Sequence, residues 1–124
     1  MLDSNLVFDK EAALARFDGE MSSLKEIAQL FLDESDELLS ELESAVASGE
    51  GKRIEASAHK LKGSLGSLDA KAAYHSACRL EALGLERKVA LAREELKVLR
   101  VELARFKKAL EAFLLEKPSM ALEK

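Results

Sequence analysis

The sequence predicts an all-α protein: an antiparallel up-down bundle of four helices, preceded by one short additional helix. Three observations predict it. Hydrophobic residues make up 48% of the 124 residues and charged residues 34%, with only one proline and six glycines, a balance that favours helices over a strand-and-turn fold. Leucine, alanine and phenylalanine recur at three- and four-residue spacing, the period of a helix face. The breaks between these runs are short, and helices joined by short connections pack antiparallel to their neighbours. A chain of this length can bury one core, so residues 1–124 read as a single domain with its packed part at about 8–115.

The elements follow in order. "DKEAALARF" reads as the short helix, closed by a turn at Gly19. Ser23, with Glu26 three residues on, has the form of a capping box and predicts the start of a long helix. That helix carries Leu24, Ala28, Phe31, Leu38, Leu42 and Ala45 on one stripe, interrupted by Ser35, and ends at "SGEG". The next helix starts near Lys52. Asp69 is expected to cap the one after it, which carries Ala73, Ala77 and Leu80. Gly84 is expected to close that helix in the left-handed conformation, with Leu85 as its apolar follower. The last helix has the most regular seam, through Ala92, Leu96, Leu99, Leu103, Phe106, Leu110 and Phe113. Pro118 ends the helix or follows its end, and 118–124 reads as a frayed tail. Packing inside one chain accounts for this seam; a dimeric coiled coil built on it is the alternative, and a monomer is expected.

Composition narrows the function. A net charge of −4 disfavours nucleic-acid binding. No apolar run is long enough to span a bilayer, and "MLDSNLVFDK" lacks the basic and apolar regions of a signal peptide. The single cysteine, Cys78, cannot form an internal disulfide, which fits a reducing compartment. A cytoplasmic protein without membrane partners is expected.

The stretch "AHKLKGSLGSL" departs from an ordinary amphipathic helix. Each helical residue advances about 100°, which gathers Ile54, Ala58, Leu61, Leu65 and Leu68 into one arc of roughly 80°. His59 lies roughly 140° from the centre of that arc and faces outward. Gly63 and Gly66 fall within about 40° of His59, and Lys62 within roughly 60°. A glycine inside a helix costs about 1 kcal/mol relative to alanine, so two of them beside one histidine need a reason. Close approach of another molecule to the imidazole supplies it, and the lysine suits an anion. The alternative, an exposed histidine near a helix end with Gly66 as the cap, explains each residue singly but not the group.

"AHKLKGSLGSLDA" followed by "CRLEALG" resembles the histidine phosphotransfer (HPt) domains of two-component phosphorelays. His59, Leu61, Lys62 and Gly63, then Cys78, Leu80 and Glu81, match the family pattern, and the long helix with Phe31 and "ELLSELESAVASGE" matches as well. One departure is Asp69, where the family commonly has glycine before the alanine. The resemblance implies that His59 accepts a phosphoryl group on Nε2 and passes it to an aspartate of a response-regulator receiver domain, with a histidine kinase or hybrid kinase as the other partner. It implies that the receiver brings the magnesium ion, so that this chain holds no cofactor. It also implies that Glu81 orients the imidazole through Nδ1–H, although an ordinary surface carboxylate stays open as its alternative. Lys62 would neutralise phosphate oxygens, Gly63 and Gly66 would give access, and Lys60 and Glu55 would lie on the partner surface. Lys52, Arg53, Lys60 and Lys62 give this helix a basic character that suits an acidic receiver pocket, although Lys52 and Arg53 read better as a solvated face.

Other classes fit less well. "SGEGKR" lacks the first glycine and the final Ser or Thr of a phosphate loop, with Val46 and Arg53 standing there, so self-phosphorylation from ATP is not expected. The chain reads as a phosphoryl carrier rather than an enzyme. His75 and Cys78 could share a face, but two ligands are too few for a metal-binding bundle. A helical scaffold is the remaining rival. Within the phosphotransfer reading, the phospho-accepting domain of a chemotaxis-type or hybrid histidine kinase is the runner-up.

Overall fold

The computed structural model describes residues 4–116, so the tail expected at 118–124 lies outside the described residues. Among the described residues six helices follow one another: α1 (Ser4–Val7), α2 (Lys10–Arg16), α3 (Met21–Ser48), α4 (Gly51–Ser67), α5 (Lys71–Leu85) and α6 (Val89–Leu114). There is no strand among the described residues, so the protein is all-α as expected. The four-residue α1 was not anticipated, being too short to show a period.

The predicted stripes are the core. Every named residue of the α3 stripe and of the α6 seam is buried. The interrupting Ser35 is buried too, and its hydroxyl donates to the Leu32 carbonyl one turn back. Phe106 lies at the centre, with its ring centroid 5.5 Å from that of Phe31 and 5.7 Å from that of Phe8. Phe8 also meets Phe113, which draws the chain between α1 and α2 onto the end of α6.

The long helices pack as a ring: α3 on α4, α4 on α5, α5 on α6, and α6 back on α3. Residue numbers rise along one helix as they fall along its neighbour. On α3 and α6 the ion pairs run Asp36–Lys107 and Glu43–Arg100. On α4 and α5 the contacts run Gly51–Gly84, His59–Glu81 and Gly66–Tyr74.

Three expected helix boundaries need correction. Ser23 does not cap α3. The helix already begins at Met21, and the Ser23 hydroxyl donates to the Glu20 carboxylate, so no capping box forms. Asp69 does not cap α5, whose N-cap is Ala70 without a side-chain bond. Asp69 instead ends α4 in the left-handed conformation at φ 54°, with Ala70 N–H bonded to the Leu65 carbonyl and Asp69 N–H to the Gly66 carbonyl. Gly84 does not close α5. It is buried inside that helix, and Arg87 at φ 59° takes the left-handed position. Leu85, expected to pack behind the cap, is 66% exposed. The same double bond closes α2 at Asp18 (φ 54°) and α5 at Arg87, so three of the turns are Schellman motifs built on a residue other than glycine.

Candidate functional site

His59 stands on the outer face of α4 because the helix's apolar residues take the opposite face. Ile54, Ala58, Leu61 and Leu65 are fully buried, whereas the His59 side chain is 69% exposed. Glu81 reaches it from α5. Its Oε2 lies 2.7 Å from His59 Nδ1, and its Oε1 accepts a hydrogen bond from Lys62 Nζ, also at 2.7 Å. One carboxylate thus joins the histidine to the lysine one turn further along α4.

Charge explains the arrangement. The hydrogen bond from Lys62 holds the Glu81 carboxyl below the usual glutamate range; partial burial opposes this, and the contact with His59 adds to the lowering. Lys62 is raised in return, chiefly by the same hydrogen bond. Glu81 is therefore ionised near neutral pH and can only accept, so Nδ1 of His59 carries a proton and donates it. In the neutral ring that leaves the lone pair on Nε2. The network itself fixes the tautomer, as a carboxylate does for metal-bound histidines.

The glycines differ from each other. A Cβ on Gly63 would meet no atom within 4 Å, and the position is exposed, one turn from His59 on the same face. A Cβ on Gly66 would lie 3.1 Å from Cε1 of Tyr74, whose ring lies over that position. The bare surface beside His59 extends to Gly63, and Gly66 has a packing reason for its lack of a side chain.

On the other side of His59, a shallow depression is lined by Lys52, Glu55, Ala56, His59 and Glu81. Glu55 thus belongs to the surroundings of the histidine. Lys60 turns toward α3, with Nζ 3.5 Å from Glu41, and Arg53 bonds to Ser44. The basic cluster of α4 is split between neighbours, and only Lys52 and Lys62 flank the imidazole. Lys52, which the sequence assigned to a solvated face, is exposed and also lines this depression. The signal for the latter was present: Lys52, Ala56, His59 and Gly63 follow one another at four-three-four spacing and share a face.

The remaining candidates lie elsewhere. His75 is exposed on α5 with its ring against Tyr74. Cys78 is partly buried rather than a core residue. A separate groove between the N-terminal segment and α6, walled by Val7, Phe8, Ala109 and Phe113, contains no histidine. Among the described residues, no helix is long and apolar enough to cross a membrane.

An outward histidine, its Nδ1 held by a carboxylate and its Nε2 open, is suited to carry a group rather than to bury one. The family model of the Hpt domain matches residues 26–113, more than two thirds of the chain, including α4, α5 and the whole His59–Glu81–Lys62 network. Searches of curated proteins and of solved structures found no significant match. Hpt domains are phosphocarriers that interact with histidine kinases and response-regulator receivers. A match of that extent over those residues places the chain in the Hpt domain family, with phosphotransfer in two-component signalling as its work.

Proposed function

We propose that the chain is an antiparallel up-down four-helix module that carries a phosphoryl group on His59 between a histidine kinase or receiver domain and a receiver aspartate. The observation that supports this most is the hydrogen bond from His59 Nδ1 to Glu81, which leaves Nε2 as the nucleophile on an open surface. In accepting from a receiver, the Nε2 lone pair forms an N–P bond as the P–O bond of the aspartyl phosphate breaks. The bonding pair leaves with the receiver's carboxylate. The Nδ1 proton stays in place, so the ring becomes an imidazolium whose positive charge faces Glu81. Transfer to the next aspartate reverses these changes.

Lys62 neutralises charge on the phosphoryl oxygens, which means turning part of its interaction away from Glu81. Gly63 leaves room for the approaching receiver, and Lys60 and Glu55 border the docking surface. The magnesium ion is expected on the receiver's side of the complex. A monomer in the reducing cytoplasm completes the reading.

The test needs two phosphoryl donors. Phosphoramidate, a small donor that needs no partner, and a receiver domain charged with acetyl phosphate are each incubated with the protein. Acid-labile label on the parent and none on His59→Gln is the expected result. Label that persists in His59→Gln and maps to His75 would overturn the assignment.

A further inference from the structure

A close contact between α4 and α5, from Gly51 to Glu55 on one helix and at Gly84 on the other, lies one to two turns from the His59–Glu81 pair. Gly84 of α5 rests on the first turn of α4. A Cβ added there would lie 2.7 Å from the Glu55 backbone nitrogen, 2.9 Å from the Gly51 carbonyl oxygen and 2.9 Å from Cγ2 of Ile54. The reciprocal contact is tighter, with a Cβ on Gly51 falling 2.5 Å from the Gly84 carbonyl oxygen. Most of these obstacles are backbone atoms of rigid helices, which cannot swing aside as the end of a side chain can. The two helices approach this closely because both residues lack a side chain.

Position along the seam gives the contact its consequence. Glu55 precedes His59 by four residues, and Gly84 follows Glu81 by three. The crossing point and the site are therefore about 5 Å apart along the helices. Glu81 spans the gap with two bonds of 2.7 Å, both to α4.

We infer that Gly84, with Gly51 opposite it, is a positioning residue: the glycine contact holds α5 at the distance from which Glu81 fixes the His59 tautomer and engages Lys62. The inference rests on the phosphotransfer reading for its consequence, but not for its geometry. A side chain at residue 84 pushes the helices apart by several tenths of an ångström or more. The charge-assisted bond then lengthens beyond its normal range, and His59 loses its preference for Nδ1–H.

The test reads the ring directly. Long-range ¹H–¹⁵N NMR of the parent, Gly84→Ala, Glu81→Ala and the double variant reports the protonation of His59 Nδ1 and Nε2. Circular dichroism checks that each is folded. Gly84→Ala is expected to move the His59 nitrogen signals toward those of Glu81→Ala, and to slow labelling by phosphoramidate by about tenfold. In the Glu81→Ala background it should change neither further, because the interaction it disturbs is already gone. Unchanged His59 signals in folded Gly84→Ala overturn the inference, as does an equal slowing with and without Glu81. If Gly84→Ala does not fold, Gly51→Ala tests the other side of the contact with the same expected signature. If neither folds, the glycines serve the fold alone and the inference fails. Failure of the parent to be labelled would count against the phosphotransfer reading, whereas the tautomer readout does not depend on it.

Discussion

At His59, one hydrogen bond decides which nitrogen of the neutral ring carries the proton. Glu81 accepts from Nδ1 as a carboxylate, and the same group is held by Lys62. Orientation and charge can be separated by substitution. Glu81→Gln keeps an acceptor oxygen, whereas Glu81→Ala removes it, so phosphoryl acceptance should fall less in the glutamine variant. Phosphoramidate labelling rates compare the two, and equal losses would mean that the charge alone matters. Gly63 separates access from stability in the same way. Since a Cβ there meets nothing within 4 Å, Gly63→Ala should stabilise the helix by up to about 1 kcal/mol in urea unfolding. Gly63→Leu should stay folded and accept more slowly from a charged receiver than from phosphoramidate, because only the receiver needs the bare surface. Loss of the same size with both donors would refute that explanation.

The helices meet their turns with unusual residues. Asp69 ends α4 at φ 54°, is 8% exposed, and holds Arg16 with Oδ2 2.7 Å from Nε and Oδ1 3.2 Å from Nη2. Its carbonyl also accepts from Asp9 N–H, so this turn fastens α2 and the segment before it to the α4–α5 hairpin. Two requirements meet in one residue: a left-handed backbone and an acidic side chain. Asp69→Gly keeps the first and Asp69→Ala keeps neither. Alanine in that conformation costs about 1–2 kcal/mol. Urea unfolding should therefore find Asp69→Ala less stable than Asp69→Gly by about that amount. Equal stabilities would show that the turn relaxes without strain.

Across the whole molecule, pH links the site to stability. The carboxyl of Asp9 is lowered, first by its bond from Lys71 and then by the Ala12 backbone N–H, and that of Glu81 is lowered chiefly by Lys62. Both groups have folded pKa values below their unfolded ones. Their contributions are complete above the unfolded values, about 4, and are lost as pH falls through the folded ones. Urea midpoints should hold steady from about pH 7 to pH 5 and decline below about pH 4, with a shallower decline in Glu81→Gln. Parallel curves for the two proteins would mean that the Lys62–Glu81 bond adds nothing to the fold.

The sequence by itself determined the all-α class, the buried stripes of α3 to α6 and the outward face of His59. These follow from helical periodicity, which any reader of the chain can count. Glu81 was found through the family pattern of Cys78, Leu80 and Glu81, since no period relates residues on two helices. Only the tertiary structure decided that its carboxylate meets both His59 and Lys62, that Lys52 lines the same depression, and that Tyr74 covers Gly66 while Gly63 stays bare. It also moved the helix ends, because Asp18, Asp69 and Arg87 adopt the left-handed backbone that glycine most often supplies at a helix end. Gly84, which those rules offered as a cap, is instead where two helices touch. A glycine can serve a left-handed turn or a close crossing, and the chain alone does not say which. The choice depends on what lies across the seam, and folding is what brings Gly51 and Glu55 there.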